Sequence, residues 1–346
     1  MSNAPHPRSD SPTRRVTAAM VAAEAGVSTA TVSLVVNGKT AGRVSAANEQ
    51  RVREAIDRLG YVLDSVGSSL ARGVSSTIIL VAPDISNPFF AQLISGVRQV
   101  LATDYHLLLS VSDPGQRPSL TEVSRLFGQR PAGLILHAPD PEFLAGVPAH
   151  VPVVAVDAPD APETVPAVNF DVSQGARLIA EHLHSRGHRT IAYLDAATGT
   201  ATLRVRREAF MAAATSLGMT VLQHLPVATT IDIAAAGASF TAAWPQMHAA
   251  QASAVVCATD TQAYGVLQEA RAAGLEVPRD LAVTGFDDLP FSASMNPGLT
   301  SINLAADAVG VQAATMLRNL LSDTSIEQRQ LIWPSRLVVR GSSALD

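Results

Sequence analysis

The first sixty residues contain three stretches in which apolar side chains recur at helical spacing. This pattern predicts helices over residues 18–24, 29–36 and 46–59. Gly26 and Gly60 follow the first and third stretches, where a glycine can end a helix. A hydroxyl side chain that can cap the helix precedes each stretch, namely Thr17, Ser28 and Ser45. Two short helices joined by a tight turn, with a third behind them, are typical of a helix-turn-helix.

The pattern changes from Thr77 onward, where short β-rich apolar runs alternate with amphipathic stretches. Strands are predicted over 77–81, 107–111, 133–136, 151–156, 190–194, 254–257 and 281–283. Helices are predicted over about 89–103, 119–128, 173–186, 204–217, 235–250, 262–273 and 305–321. Such alternation favours parallel sheets with right-handed crossovers. The elements are numerous enough for two lobes, so we predict a small all-α helix-turn-helix head and an α/β body of two doubly wound parallel-sheet lobes.

These patterns divide the chain into four predicted segments. Residues 1–15 are polar and rich in Pro and Ser, which indicates a disordered arm. Residues 16–62 form the predicted helix-turn-helix domain, and residues 63–75 form a linker with one short helical segment. Residues 76–346 form the two-lobed body.

Charge is distributed unevenly between these parts. The whole chain carries a formal charge of −5, which by itself argues against nucleic acid as a partner. Residues 1–73, however, hold nine Lys or Arg against six Asp or Glu, a net of +3, so the remainder carries −8. A small basic head on an acidic body suits a DNA-binding domain joined to a second function.

Composition argues against several classes of protein. Hydrophobic residues make up 47% of the chain and charged residues 16%, which is unlike a disordered protein. No apolar run reaches the roughly 18 residues of a membrane span, and the polar N-terminus lacks the apolar core of a signal peptide. We therefore expect a cytoplasmic protein with no membrane partner. The single cysteine, Cys257, lies in an apolar run, which favours a buried and inert thiol.

Common enzyme and cofactor motifs are missing from the sequence. No Gly-x-Gly-x-x-Gly follows a predicted strand, and there is no Walker loop, no Gly-x-Ser-x-Gly elbow and no His-Glu-x-x-His. His182, His184 and His188 are close in sequence, but residues two apart on a helix face different sides, so we expect no metal site. We predict a protein that is not an enzyme and carries no cofactor.

Several long stretches resemble the LacI/GalR family of repressors. In the head, the resemblance lies in VAAEAGVSTATVSLVVNGK and then RVSAANEQRVREAIDRLGYVLDSVGSSLARG. In the body, it continues in the family's order with VAPDISNPFF, AGLILH, HLHSRGHRTIAYL, ATDTQAYGVLQEARAAGLEVPRDLAVTGFDD and LTSI. The resemblance implies a repressor that binds a palindromic DNA operator as a homodimer. It also implies a periplasmic-binding-protein-like body that holds a small-molecule effector.

The resemblance further implies which residues meet DNA. The second predicted helix would enter the major groove, and the linker would form a hinge helix that wedges a leucine into the minor groove. The implied contacts are Thr17, Ser28, Thr29, Ala30, Thr31, Ser33, Leu34, Asn37, Leu70, Ala71 and Arg72. For the hydroxyl and amide side chains among them, the alternative is a helix cap or a turn bond. For Leu70, the alternative is packing between two hinge helices.

Leu34, Asn48, Glu49 and Leu63 depart from common choices in the family. Leu34 stands where better-known members often carry Arg or His, so this helix offers no bidentate arginine–guanine pair. Base reading must then depend on apolar contacts, Lys39, the N-terminal arm and DNA shape. Glu49 is acidic where a phosphate contact is common, which argues against that contact here.

In the body, the resemblance implies an effector between the lobes, at the carboxyl ends of the strands. The implied contacts are Phe89, Phe90, His137, Asp157, Arg206, Thr259, Asp260 and Asp287. Strand-end carboxylates can accept hydrogen bonds from sugar hydroxyls, and an aromatic wall can stack on a sugar or a base. A sugar is therefore the favoured effector and a purine the second. Arg204 and Arg207 flank Arg206 and leave its assignment open, while Asp157 and Phe89 have loop-cap and core alternatives.

Two other functions stay open at this point. A stand-alone solute-binding protein would share the body, but it would need a signal peptide, and none is visible in the sequence. A DNA-binding regulator that ignores small molecules would share both parts. The sequence also leaves open whether an effector would act as inducer or corepressor.

Overall fold

The chain forms two compact units, a head, Met1–Ser75, and a body, Ser76–Asp346. The computed structural model describes residues 16–61, 75–83, 85, 87–111, 120–222 and 225–344. The head has a hydrophobic core of its own.

Three helices form the described part of the head, α1 (Ala18–Ala25), α2 (Thr29–Val36) and α3 (Ala46–Leu59). The sequence prediction of three helices at these places is confirmed. Gly26 and Gly60 follow α1 and α3 with φ of 65° and 64°, a left-handed conformation that glycine adopts without steric cost. Val21, Val32 and Val52, one from each helix, are at most 1% exposed and form the centre of the core.

Helices and strands alternate through the body. Its helices in the described ranges are α4 (Pro88–Leu101), α5 (Leu120–Phe127), α6 (Pro141–Ala145), α7 (Val172–Ser185), α8 (Ala201–Ser216), α9 (Ile233–Ala249), α10 (Asp260–Ala272) and α11 (Ala306–Leu321). Its strands there are β1 (Thr77–Ala82), β2 (His106–Val111), β3 (Gly133–His137), β4 (Val153–Val156), β5 (Ala167–Phe170), β6 (Thr190–Leu194), β7 (Thr220–Leu222), β8 (Ala254–Cys257), β9 (Ala282–Thr284), β10 (Ser301–Asn303), β11 (Gln330–Trp333) and β12 (Arg336–Val338).

The described strands form two parallel sheets and one short antiparallel pair. The first sheet has six strands in the order β11-β5-β4-β3-β1-β2, and the second has four in the order β7-β6-β8-β9. Neighbouring strands are parallel throughout both sheets. The prediction of two doubly wound lobes is confirmed. We call the part around the six-stranded sheet lobe 1 and the part around the four-stranded sheet lobe 2.

Within the described residues, the chain passes between the lobes three times. It leaves lobe 1 after β5, returns after β10 to pack α11 against lobe 1, and leaves again after β11. β10 and β12 lie at the second and third passages and pair antiparallel, with Ser301 opposite Val338 and Asn303 opposite Arg336. We call β10 and β12 the crossing strands.

The sequence pattern does not predict five of these strands, β5, β7, β10, β11 and β12. Each has only three or four residues, too few for a two-residue alternation to show, and the predicted strands of similar length, β4, β8 and β9, are recognised from apolar runs and not from alternation. In β10, two of the three residues, Ser301 and Asn303, are also polar. The sequence pattern also does not predict helix α6, because its five residues are too few to show a helical repeat.

Helices α4 and α11 cross very closely in lobe 1. A Cβ placed on Gly96 of α4 would overlap the carbonyl oxygen of Asp307, and one placed on Gly310 of α11 would overlap that of Leu93. Both positions therefore require glycine because the two backbones leave no room for a methyl group.

Among the described residues, no single helix has both the length and the hydropathy of a membrane span, and α1 with α2 passes only as a pair bent by 104°. No group of three His, Cys, Asp or Glu side chains in the described ranges is arranged to hold a metal ion. His182 and His188 form 2.8 Å hydrogen bonds with the hydroxyls of Ser343 and Ser253. Cys257 is a buried free thiol, as predicted.

Candidate DNA-binding surface and effector site

Helix α2 has one buried side and one side open to solvent. Val32 and Val35 point into the head core. The residues on the open side are Thr29, Ala30, Ser33 and the half-buried Leu34. Residues at this spacing share one helix face, and it is the face expected to meet base edges. It offers methyl groups and small hydroxyls, which suit contacts with thymine methyls.

The hydroxyl and amide side chains expected at phosphates also cap the helices. Ser28 Oγ accepts a hydrogen bond from the Thr31 N–H at 3.2 Å and lies 3.0 Å from Thr31 Oγ1. Thr17 Oγ1 accepts from the first turn of α1 at 3.4 Å. Asn37 Nδ2 donates to the Ser33 carbonyl at 2.7 Å. The capping alternative is thus realised, yet Thr17, Ser28 and Asn37 stay exposed and accessible to a phosphate.

Glu49 is engaged within its own helix. Arg53 Nη2 donates to its carboxylate at 2.6 Å. This bond, with a second from the Thr40 hydroxyl, holds the pKa of Glu49 below its ordinary value. An ionised Glu49 with Arg53 as its partner does not suit a phosphate contact.

Three of the expected DNA contacts, Leu70, Ala71 and Arg72, lie outside the described residues. Their role in a minor-groove wedge stays a prediction.

In lobe 1, His137 and Asp157 lie together at the carboxyl ends of β3 and β4. His137 Nε2 is 3.6 Å from Asp157 Oδ2. The rings of Phe89 and Phe90 pack edge to face on the imidazole, with centroids 5.8 Å and 4.8 Å away. Burial lowers the pKa of His137, although the Asp157 carboxylate opposes this shift. Neither ring nitrogen has a hydrogen-bond partner among the described residues.

In lobe 2, Arg206 points inward from α8 and is only 4% exposed. Its guanidinium lies 3.7 Å from the centroid of the Phe286 ring. Nη1 donates to the Ala258 carbonyl and lies 3.4 Å from Asp287 Oδ1. The flanking Arg204 is exposed and pairs with Glu208 at the surface. Burial therefore distinguishes Arg206 from the neighbouring arginines, whereas their spacing in the sequence does not.

Asp287 is a buried carboxyl at the end of lobe 2's sheet. Burial raises its pKa to about 8, Arg206 opposes the rise, and Asp260 and Asp157 add to it. The Asp157 carboxylate, which belongs to lobe 1, is thus one of the charges that raise the pKa of Asp287. We call the pair His137 and Asp157 of lobe 1, the pair Arg206 and Asp287 of lobe 2, and Phe89 the strand-end site.

Thr259 and Asp260, expected to contact the effector, are engaged inside lobe 2. Thr259 Oγ1 accepts from Gln262 N at 3.3 Å and caps α10. The Asp260 carboxylate is 0% exposed and accepts three hydrogen bonds, from the Leu289 N–H and the hydroxyls of Ser292 and Ser301. These donors offset part of the burial, which raises the pKa of Asp260 to about 6. Asp260 holds the loop after β9, a structural role that sequence reasoning did not assign.

The structure adds polar groups that sequence reasoning missed. In the described chain, several buried side-chain atoms have no hydrogen-bond partner: the hydroxyls of Tyr193, Thr198, Thr200, Thr202 and Ser335, and Nε of Arg206. The three threonines among them, Thr198, Thr200 and Thr202, come shortly before Arg206 in TGTATLRVR, a pattern visible in the sequence. Buried polar atoms without partners are costly, and a cluster of them indicates a place where a ligand supplies the missing bonds.

Known families match both parts of the chain. The profile described as "Bacterial regulatory proteins, lacI family" matches residues 14–64, and that described as "Periplasmic binding protein-like domain" matches residues 180–343. The chain is 32% identical over 343 residues to the HTH-type transcriptional regulator MalR of Streptomyces coelicolor, covering 94% of this chain and 95% of MalR. It is 30% identical over 329 residues to the ribose operon repressor of Escherichia coli K12, covering 93% and 98% of the two chains.

Solved structures are similar over nearly the whole length. The Lac repressor dimer bound to operator and the anti-inducer ONPF has a TM-score of 0.78 at 25% identity, covering 96% of this chain and 100% of that one. The transcriptional regulator CelR in complex with cellobiose has a TM-score of 0.68 at 28% identity, covering 95% and 100%. Head and body thus define a DNA-binding transcriptional regulator. The chain belongs to the lacI family.

Proposed function

We propose that this protein is a transcriptional repressor whose operator affinity is controlled by a small polyhydroxylated effector bound at the strand-end site. The observation that carries the proposal is that, in the described part of the chain, Arg206 Nε and both ring nitrogens of His137 are buried polar atoms without hydrogen-bond partners. A ligand rich in hydroxyl groups can satisfy such donors and acceptors together.

A sugar is the effector that suits these residues. The carboxyls of Asp157 and Asp287 can accept hydroxyl hydrogen bonds, Arg206 can donate them, and the Phe89 ring can stack on a pyranose face. Relatives named for ribose and cellobiose support the same choice. A purine is the second candidate because the Phe89 ring can also stack on a base.

We further infer that the protein binds a palindromic operator as a homodimer. A two-fold dimer places two copies of α2 on two half-sites, and the related Lac repressor is a dimer on its operator. Thr29, Ala30, Ser33 and Leu34 are the proposed groove contacts. We propose no catalytic activity, and the expected location is the cytoplasm, where a bacterial operator lies.

The test begins with the operator. Random duplexes are selected on the full-length protein, and the selected duplex is followed by fluorescence anisotropy at fixed salt while D-ribose, maltose, cellobiose, hypoxanthine or guanine is added. We expect at least one sugar to change operator affinity and to raise the thermal midpoint of the protein. A response to purines alone would identify a purine, and not a sugar, as the effector. No response to any compound of the panel would favour an effector-independent regulator.

Arg206 gives the sharpest variant. Arg206→Lys keeps the charge but loses the planar fork, and it should abolish the sugar response while operator affinity is retained. Arg204→Ala is the matched control, because Arg204 lies on the same helix but is exposed and pairs with Glu208 at the surface. This variant should respond to the sugar like the wild type. A full response from Arg206→Lys would contradict the assignment of Arg206.

A further inference from the structure

The turn that carries Asp287 has an unusual backbone. Asp287 has a φ of 115° and Asp288 a φ of 50°, two consecutive positive values at residues other than glycine. Such conformations are strained and persist only where the surrounding structure holds them. What holds this turn therefore decides how Asp287 is presented at the strand-end site.

Asp288 is held from both crossing strands. Its Oδ2 accepts a hydrogen bond from Nδ2 of Asn303, on β10, at 2.8 Å. Its Oδ1 lies 2.7 Å from Nη2 of Arg340, which follows β12. Its N–H donates to the Ser301 hydroxyl at 3.0 Å. The Asp288 carboxylate thus contacts both the segment that enters lobe 1 and the segment that leaves it.

Asn303 also reaches the point where the chain enters lobe 1. Its Oδ1 accepts a hydrogen bond from the Ala305 N–H at 3.0 Å. Ala305 has a φ of 50°, again a left-handed value at a residue other than glycine, and α11 of lobe 1 begins directly after it. The Asn303 amide therefore joins a strained turn in lobe 2 to a strained residue between the lobes.

We propose that Asn303 is a positioning residue that couples the strand-end site to the passage between the lobes. Asp287 faces Arg206, its neighbour Asp288 is bonded to Asn303, and Asn303 holds Ala305 in its left-handed conformation. A ligand that moves Asp287 thereby changes the restraint on the passage, and the two lobes respond. The role in effector response rests on the proposed function, but the restraint on the lobes does not.

The restraint is tested by inter-lobe distances in the full-length protein without ligand. Glu142→Cys in lobe 1 and Arg271→Cys in lobe 2 are exposed sites for spin labels, and the native Cys257 is buried. Asn303→Ala should broaden the distribution of label-to-label distances measured by double electron–electron resonance. Asn319→Ala, on α11, is the matched control and should reproduce the parent distribution.

Asn303→Asp separates hydrogen bonding from packing. Aspartate is nearly the same size as asparagine, but its carboxylate would face that of Asp288 and donate nothing to it. The proposal expects Asn303→Asp to broaden the distribution as much as Asn303→Ala. A parent-like distribution for Asn303→Asp would overturn it, because filling space would then suffice.

Ala305→Gly provides a second variant that removes no side-chain hydrogen bond. Glycine adopts a φ of 50° without strain but also leaves it easily, so the distribution should again broaden. If Ala305→Gly and Asn303→Ala both leave the distribution unchanged, Asn303 does not restrain the passage.

The effector response is a separate readout. With whichever of D-ribose, maltose and cellobiose shifts wild-type operator affinity, Asn303→Ala should reduce that shift toward onefold from the roughly fivefold or larger change usual in allosteric proteins. Absence of a wild-type sugar response would count against the proposed function alone, since the distance measurements use no sugar.

Discussion

Asp260 and Asp287 are both buried carboxyls of lobe 2, yet their surroundings differ. Asp260 accepts three hydrogen bonds from its own lobe. Within the described ranges, the Asp287 carboxylate has a single hydrogen bond, at 3.4 Å from Arg206 Nη1, and burial raises its pKa to about 8. A carboxyl with few internal donors retains the capacity to bind a ligand, whereas one with three donors holds its loop in place.

The raised pKa of Asp287 predicts a pH-dependent stability. The ordinary pKa in an unfolded chain is about 4, so the folded state favours the protonated acid. Its stabilising effect is complete below that value and is lost as pH rises toward 8, because over this range the unfolded chain releases a proton that the folded protein retains. The free energy of unfolding should therefore fall between pH 5 and 8, by up to about 1.4 kcal/mol per pH unit.

Urea denaturation followed by circular dichroism across this range measures that slope. Asp287→Asn should flatten it, and Asp104→Asn, at an exposed site in lobe 1, should not. Parallel curves for wild type and Asp287→Asn would contradict the prediction.

Leu34 predicts what kind of base the head prefers. As an apolar side chain on the groove face of α2, it favours thymine methyls over guanine. Leu34→Arg should move the selected operator toward guanine at one position of each half-site, with a discrimination of about 1–3 kcal/mol. Selection from random duplexes checks this. Ala23→Arg adds the same charge at an exposed site on α1 and should leave the selected sequence unchanged.

Sequence pattern predicts single residues well where spacing alone decides their role. The caps Thr17 and Ser28 could be read from their places before apolar stretches, and both cap helices in the structure. Burial could not be read in this way, because Arg204 and Arg206 are equally arginines until the fold exposes one and buries the other. The donors around Asp260 come from distant segments, so its internal role was also hidden.

At the scale of elements, length and apolar content together decide what the sequence can predict, since the short strands β4, β8 and β9 are predicted from apolar runs. Longer helices and the strands of five or six residues show clear periodicity, and they are found close to the predicted places. The three-residue strand β10, in which two residues are polar, is formed by tertiary pairing rather than by its own pattern. The functional coupling proposed for Asn303 lies on such a strand, and no local signal points to it.

The crossing of α4 and α11 gives a prediction at this scale. Gly96→Ala or Gly310→Ala would force the two helices apart, because each new methyl would overlap a backbone carbonyl of the partner helix. Overpacking of this kind costs about 1–3 kcal/mol or more. Thermal or urea unfolding measures the loss. Ser95→Ala, at an exposed site next to Gly96, is the control and should change stability little.

At the scale of the whole molecule, the two lobes are interleaved along the chain. β11, from the last part of the sequence, pairs with β5 in lobe 1. The hydroxyl of Ser342 donates to the Val283 carbonyl at 2.6 Å and accepts from Thr300 N at 2.8 Å in lobe 2. Alternating patterns predict that lobes exist, but they do not show which distant strands become neighbours.

A truncation tests this interleaving. A chain ended after Arg329 lacks β11, β12 and Ser342, so both lobes lose strands or hydrogen bonds. We expect it to lose the cooperative thermal transition of the body while the helices of the head and nonspecific DNA binding persist, measured by calorimetry, circular dichroism and anisotropy. A chain lacking only Leu345 and Asp346 is the control. A cooperative body transition in the Arg329 truncation would contradict the expectation.

The interleaved order also has a consequence during synthesis. At about 5–20 residues per second, the described helices of the head leave the ribosome roughly ten seconds or more before β11 and β12 are made. The helices of the head are therefore complete while the body is still being synthesised. Each new molecule therefore passes through an interval in which its head can bind DNA before its body can respond to an effector.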